Sequence, residues 1–172
     1  MNEVIENMTS RRSVRAYSSK PVDRALIDEI IEAGLYAPSA MNKQDTLIIA
    51  IEDKSVRDKI SKMNAAIMGS NSDPFYGAPV ILLVLYNKAN RNGIYDGSLV
   101  LGNMMNAAHS LGLSSCWIHR AKEEFESDEG KSLLKSFGIE GEWEGVGHMA
   151  LGYSASGEPK APERKSGRVI HI

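Results

Sequence analysis

Three arginines and a serine stand within five residues near the start of the chain, at Arg11, Arg12, Ser13 and Arg15. A guanidinium group presents a rigid fork of N–H donors that matches phosphate oxygens, and a serine hydroxyl adds another donor. Because the whole chain carries a net charge of −2, the cluster is a local concentration of positive charge that indicates a site for a phosphate or another polyanion. A solvated charged stretch is the simpler interpretation of the cluster alone. The apolar–polar alternation over residues 14–17 favours a half-buried extended segment instead.

A second polar cluster lies just past the most strongly amphipathic stretch of the chain. Its amide side chains offer both a donor and an acceptor, which suits the polar edge of a planar heterocyclic ring. A helix-terminating turn is the simpler interpretation, because proline, serine and asparagine favour turns on their own account. The candidate binding residues here are Pro38, Ser39, Ala40, Asn42 and Gln44.

A third segment combines aromatic, apolar and titratable residues at Trp117, Ile118 and His119. One interpretation places this segment beside a planar cofactor, with a main-chain N–H directed at the reactive nitrogen of the ring. The other makes it an internal strand whose Trp117 and Ile118 fill the core. The neighbouring Cys116 is expected to be inert unless it is exposed and has a lowered pKa.

Hydrophobic periodicity predicts the elements that must position these residues. The helix before the second cluster is the clearest, because its apolar residues recur with a 3.6-residue period up to the stop at Pro38. Strands interleaved with long helices predict an α/β or α+β sandwich around a largely buried sheet. The predicted helices cover residues 23–35, 55–66, 95–111 and 128–137, and the predicted strands cover residues 46–52, 79–86, 114–119 and 146–153.

The character of the chain changes from Ser154 onward, where prolines, glycines and charged residues dominate. Such a segment cannot fold on itself, so we expect it either to be disordered or to lie along another surface. Its final Val-Ile-His-Ile favours docking. Arg164 and Lys165 are candidates to complete the phosphate site begun at Arg11, with a solubilising basic tail as the alternative.

Composition and motifs exclude several other classes of protein. With 42% hydrophobic and 24% charged residues, the chain is ordinary for a soluble globular protein. Its net charge gives no reason to expect nucleic acid or a membrane as a partner. The chain has one cysteine, no recognisable secretory signal and no apolar run near the ~20 residues of a membrane span. These features predict a cytoplasmic protein. Its length predicts one domain over residues 1–172. Rossmann and P-loop glycine motifs are missing, and the histidines lack metal-ligand spacing.

Taken in order along the chain, these motifs resemble the FMN-dependent nitroreductase family. These motifs, in register, carry the resemblance over nearly the whole chain. Asp45-Thr46 stands where the family often has Pro-Trp, which implies a pocket of different shape and charge. The matching stretches are 11–15 (RRSVR), 37–44 (APSAMNKQ), 76–80 (YGAPV), 106–113 (NAAHSLGL), 115–118 (SCWI) and 152–153 (GY), followed by a basic tail.

The resemblance implies an α+β fold with a central mixed, mostly antiparallel β-sheet sandwiched by helices. It also implies a homodimer with two FMN molecules at its interface. Each C-terminal arm, residues 154–172, would extend onto the partner subunit.

The resemblance also implies roles for the three clusters. Arg11, Arg12 and Ser13 would hold the phosphate and ribityl chain, while Arg15 would lie near N1 and O2 of the flavin. Residues 38–44 would come from the other subunit and touch the ring system. The remaining roles fall to Trp117, Ile118 and His119 along the ring, the last with its backbone N–H near N5, and to Lys165 and Arg164 at the phosphate.

The activity that follows from the resemblance is oxidoreduction. NAD(P)H would reduce FMN, and hydride would pass to a small oxidised acceptor such as a nitro compound or quinone in a ping-pong cycle. One alternative is a flavin-binding or flavin-sensing protein without meaningful turnover. The other is a dimeric interaction module whose arginine cluster contacts an acidic partner surface.

Overall fold

Four antiparallel strands form the central sheet, in the spatial order first, second, fourth, third along the chain. The computed structural model describes residues 1–157 and 159–172. The strands are β1 (Thr46–Ile51), β2 (Val80–Asn87), β3 (Ser114–Ile118) and β4 (Trp143–Gly152). The helices are α1 (Glu3–Ser10), α2 (Arg24–Leu35), α3 (Lys54–Met68), α4 (Gly93–Ser110), α5 (Ala121–Glu126) and α6 (Asp128–Ser136), with a 3₁₀ turn at Ala40–Asn42.

Strand β2 lies at the centre of two hydrophobic clusters, one on each face of the sheet. Residues Ile81 and Leu83 point into a cluster with α3, α5 and α6, whereas Leu82 and Val84 point into a cluster with α2 and α4. Alternate strand residues face opposite sides, so a continuous apolar run is needed when helices cover both sides. The α+β sandwich predicted from the sequence is confirmed.

The sheet is antiparallel, and its mixed character is confined to one edge. All strand ladders are antiparallel, and the parallel pairing is a single bridge between Ser13 and Ser115 outside the named strands. A second bridge joins Tyr17 to Ser154. Ser13 and Val14 therefore lie against β3, and Tyr17 and Ser18 lie against the residues that follow β4. The segment is partly buried, as predicted, but its buried residues Val14 and Tyr17 are three apart, so strict alternation is not kept.

The C-terminal arm lies on the outside of the chain. Beyond the hydrogen bond from Ala155 N to Ala16 O, its described residues form no helix or strand and are exposed. Its apolar end is open, with Val169 at 72% and Ile170 at 84% relative exposure. Among the described residues, no helix has the length and apolar character needed to cross a membrane.

A charged cluster closes the loop between α3 and β2. Arg57, on α3 and only 9% exposed, donates from its guanidinium to Asp73 and to the carbonyl of Ala78. Asp73 also accepts from Ser61 Oγ at 2.8 Å and from the backbone N–H of Gly77 at 2.8 Å. Burial alone would raise the pKa of Asp73, but the hydrogen bonds from Arg57 and Ser61 and from the backbone outweigh it and lower that pKa.

Replacing Asp73 by Asn tests this cluster. We expect the free energy of unfolding at pH 7 to fall by about 1–3 kcal/mol, because a buried guanidinium loses its charged partner. The folded-state pKa of Asp73 is lowered. The carboxylate's contribution is therefore complete above the unfolded pKa of about 3.9 and is lost as pH falls through the folded pKa. Urea unfolding should show the difference between the two proteins shrinking from pH 7 to pH 3.

Asp58→Asn is the matched control, since Asp58 also contacts Arg57 but lies at the surface with 39% of its side chain exposed. Exposed ion pairs contribute about 0–1 kcal/mol. Equal losses in the two variants, or a difference that persists at pH 3, would contradict the assignment.

Candidate functional site

A cavity of about 310 Å³ lies between the first arginine cluster and the C-terminal arm. Among the residues that the structure describes, none of those lining the cavity is acidic and five are basic. Such a concentration of unpaired positive charge calls for an anion, because cations held together without one repel each other and lose hydration. The lining consists of Arg11, Arg12, Ser13, Arg15, Pro159, Lys160, Pro162 and Arg164.

Arg11 supplies the clearest unsatisfied donor of this cavity. Its Nη1 is buried, and no described residue accepts a hydrogen bond from it. Buried polar atoms nearly always have partners, so an unpaired guanidinium nitrogen indicates a missing acceptor. Arg12 differs, because its Nη1 donates to the carbonyls of Thr9 and Arg11 and so caps the last turn of α1. Arg11 is therefore the better placed of the two for an external anion.

The C-terminal arm reaches the cavity through Pro159, Lys160, Pro162 and Arg164, whereas Lys165 does not line it. The arm thus brings Arg164 to the arginine cluster and adds Lys160, which sequence reasoning missed. Lys160 is a cation of the same basic tail, and that shared charge is the signal that could have found it.

A second cavity of about 210 Å³ adjoins the first through Arg15, which lines both. Trp117, Ile118 and His119 lie along its wall at the end of β3, so the structure brings the third cluster to the first. Cys116 is also in the wall but is 2% exposed. Burial raises the pKa of its thiol, with Arg15 opposing the shift, so it is a weak nucleophile as predicted.

Trp117 is oriented by a glycine on the neighbouring strand. A Cβ on Gly147 would lie 2.8 Å from Trp117 Cε2, so only glycine leaves room for the indole to lie against β4. The indole Nε1 is buried with no acceptor among the described residues. The indole ring lies 5.8 Å from that of His119, centroid to centroid. The pair presents an aromatic surface at the mouth of the second cavity.

The second cluster forms a tight turn whose backbone is unusually strained. Met41, Asn42 and Gln44 have φ values of 55°, 53° and 53°, in the left-handed region that side chains other than glycine and asparagine seldom adopt. Ser39 Oγ accepts from the N–H of Gln44 at 3.1 Å, and Gln44 Nε2 donates to Asn42 Oδ1 at 3.1 Å. Strain of this kind persists only where the surroundings impose it.

Asp96, in the first turn of α4, imposes the position of that turn. Its carboxylate is 4% exposed, accepts from the N–H of Ala40 at 2.9 Å, and accepts from Asn90 Nδ2 at 3.1 Å. Sequence reasoning did not select Asp96, although a carboxylate within an otherwise apolar helix stripe is a signal for a buried acceptor.

The two polar clusters are attached to opposite ends of α4. The turn at 38–44 is held at Asp96, whereas Ser10, next to the arginine cluster, contacts His109 Nε2 at 2.9 Å. Thirteen residues of helix separate Asp96 from His109, which is about 20 Å. Pro38, Ser39 and Gln44 line a separate cavity of about 170 Å³, and no residue of 38–44 lines the other two. Within one chain the structure does not bring the second cluster to the first and third.

The chain thus has an antiparallel sheet covered by helices, with a basic cavity that adjoins an aromatic-lined one at the end of β3. The chain belongs to the nitroreductase family, whose model matches residues 8–153.

Known proteins of similar sequence and structure fit this assignment. The FMN reductase (NAD(P)H) of Bacillus subtilis is 34% identical over 138 residues, covering 67% of this chain and 53% of that protein. A putative NADH dehydrogenase/NAD(P)H nitroreductase of Methanothermobacter thermautotrophicus is 29% identical, covering 67% and 60%. The chain thus aligns with little more than half the length of these relatives. A crystal structure of a nitroreductase with bound FMN from Bacteroides fragilis superposes with a TM-score of 0.92 at 28% identity, covering both chains completely.

The residues present fit FMN. The unpaired Arg11 Nη1 in a basic cavity suits its phosphate, and the adjoining aromatic cavity suits its ring.

Asp96→Asn should release the turn at 38–44. The donors of Ala40 and Asn90 bond different oxygens of Asp96, and in asparagine one of those two positions becomes an NH2 group that cannot accept. Loss of a hydrogen bond to a charged acceptor corresponds to about 1.5–3 kcal/mol, so we expect the Ala40 amide to exchange with solvent roughly 10- to 100-fold faster, measured by NMR-detected hydrogen exchange.

Asn103→Ala is the control. Asn103 lies on α4, as Asp96 does, but its Nδ2 donates to the carbonyl of Ala33 on α2 and makes no hydrogen bond to the turn. Unchanged exchange at Ala40 in the Asp96 variant would show that the turn holds itself.

Proposed function

We propose that this protein is an FMN-dependent oxidoreductase that takes electrons from NAD(P)H and passes them to a small oxidised acceptor such as a nitro compound or quinone. The observation that carries the proposal is the unpaired guanidinium nitrogen of Arg11 inside a basic cavity next to Trp117, in a chain of the nitroreductase family. In a ping-pong cycle, donor and acceptor would take turns beside the ring held in the cavity lined by Trp117.

Each cluster then has a role. Arg11, Ser13 and Arg164 bind the phosphate, and Arg12 supports them by fixing the end of α1. Arg15 places a cation where the two cavities meet, which favours negative charge on a ring held there. Trp117, Ile118 and His119 orient that ring, and their main chain can donate to its edge. FMN supplies the hydride chemistry when bound, so no side chain is required as a nucleophile.

The second cluster joins the site from another copy of the chain. The turn is anchored about 20 Å along α4 from the arginine cluster, so Pro38, Ala40 and Asn42 would reach the ring only in a homodimer. Contiguous exposed apolar surface is the usual mark of such an interface. Four groups of exposed apolar side chains could form this interface. They lie on α1 (Val4, Ile5, Met8), at the end of α2 and in the turn (Leu35, Tyr36, Met41), on α4 (Ile94, Tyr95, Leu99) and on the arm (Val169, Ile170, Ile172).

We further propose that residues 1–172 act as one FMN-binding unit whose arm, residues 154–172, extends onto the partner. An extended arm of this length reaches at most about 60 Å, enough to cross an interface and return to it. Lys165, which does not line the cavity of its own chain, would then act at the phosphate of the partner subunit.

The visible spectrum of the purified protein, with FMN added back if it is colourless, tests the function. We expect flavin bands that bleach on addition of NADH or NADPH and recover with a nitroarene or quinone. Flavin bands without bleaching would favour the flavin-binding alternative without turnover. No flavin under either condition would leave the interaction module, in which the arginine cluster contacts an acidic protein surface.

Arg11→Gln tests the phosphate assignment. Removing one charge-assisted hydrogen bond of about 1.5–3 kcal/mol should weaken FMN binding by roughly 10- to 100-fold, while affinity for riboflavin, which lacks the phosphate, should stay unchanged. Fluorescence titration with both flavins measures this difference.

Arg24→Gln is the control, since Arg24 lies exposed on α2 and pairs with Asp28 and Glu52. An equal loss for riboflavin and FMN would place Arg11 at the ring or in the fold rather than at the phosphate.

A further inference from the structure

Arg120 is held in an unusual conformation at the end of β3. Its φ is 78°, in the left-handed region, although it is neither glycine nor asparagine. A conformation of this kind costs roughly 1–3 kcal/mol and is kept where other contacts impose it. Arg120 also lines the second cavity, together with Arg15, Tyr76 and His119.

Asn64 is the contact that imposes this conformation. Its side chain is fully buried, donates from Nδ2 to the carbonyl of His119 at 2.8 Å, and accepts from Nε of Arg120 at 2.8 Å. One amide thus fixes both the backbone before Arg120 and the stem of its guanidinium group. Because the bond uses Nε, the Nη1 and Nη2 nitrogens stay available as donors.

The surroundings of Arg120 leave its charge without a counterion. Within residues 1–157 and 159–172 it forms no ion pair. Asp73 is the acidic residue in the cavity wall, but its carboxylate is already bound by Arg57, Ser61 and two backbone N–H groups. The wall therefore has two guanidinium groups, Arg15 and Arg120, that no carboxylate of the cavity neutralises.

We propose that Arg120, positioned by Asn64, selects acceptors that carry a carboxylate or a similar planar anion. The inference rests on the proposed function of the same site. A guanidinium fork matches a carboxylate with two parallel hydrogen bonds, which a neutral acceptor cannot reproduce. Arg120 lines the same cavity as Trp117 and His119, so an acceptor held by Arg120 would lie beside the residues proposed to orient the ring.

Two acceptors test the proposal, 4-nitrobenzoate and 4-nitrobenzamide. They have nearly the same shape, but only 4-nitrobenzoate carries a negative charge. The measured quantity is the ratio of their kcat/KM values in the FMN-loaded enzyme. We expect Arg120→Gln to lower that ratio by about 10-fold or more, and Arg120→Lys, which keeps the charge but not the fork, to lower it less. Comparing variants with the unaltered protein cancels the difference in reactivity between the two acceptors.

Binding without turnover gives a second measurement. Benzoate should bind the FMN-loaded protein more tightly than benzamide, as seen by perturbation of the flavin spectrum, and the preference should weaken as salt is raised. This measurement uses the unaltered protein, so it tests whether the cavity prefers an anion even if Arg120→Gln fails to fold; Arg120→Lys then assigns the preference to Arg120. It also separates the two proposals, because a protein that bound benzoate selectively but reduced nothing would refute the function and leave the anion subsite.

Two results would overturn the inference. One is an unchanged acceptor ratio in Arg120→Gln together with equal binding of benzoate and benzamide. The other is a defect confined to kcat/KM for NAD(P)H, which would assign Arg120 to the phosphates of the donor.

Discussion

Helix α4 sets the distance between the two halves of the site, and most of the proposed function depends on that distance. At its first turn the buried carboxylate of Asp96 holds the strained turn at 38–44. Near its last turn His109 contacts Ser10 beside the arginine cluster. The helix is clamped between the sheet and α2 by Leu101 and Met104, both fully buried, so it cannot slide to bring the halves together.

Basic side chains in the core of the fold differ from those around the cavities in whether they are paired with carboxylates. Where the fold needs stability, cations are paired, as Arg57 is with Asp73. Around the two adjoining cavities, Arg11, Arg15 and Arg120 form no ion pair with a described residue, and the arm adds Lys160 and Arg164. Like charges held close together oppose folding, and a bound anion would remove that cost. The site is therefore built at the expense of local stability, which is the common arrangement where a protein binds an anionic ligand.

Hydrophobic periodicity in the sequence predicted much of the fold. The 3.6-residue stripe of α2 and the continuous apolar run of β2 predicted their elements closely, because both are long and bury their residues in a regular pattern. Helix α1 was missed since none of its residues is buried, and α5 because six residues are too few to establish a period. In the site, the residue types of the three clusters were visible in the sequence.

The groups that hold those clusters were not visible. Asn64 and Asp96 act on backbone groups 55 and 56 positions away in the chain, and nothing local in the sequence marks such a partner. Lys160 was missed because its role depends on the extended path of the arm. Local pattern predicts an element, but positions that are set by long-range polar contacts require the fold itself.

Mixed dimers test the central claim, that one site combines the arginine cluster of one copy with the turn of the other. Arg11→Glu and the double variant Asn42→Asp with Gln44→Glu should each abolish FMN binding as homodimers. The two variants would then be co-expressed with different tags, and the doubly tagged dimer isolated. If the site is shared, one of its two sites carries every defect and the other carries none, so the account predicts one FMN bound per mixed dimer. If each chain builds its own site, both sites keep one defect, and a stable mixed dimer that binds no FMN would contradict the account.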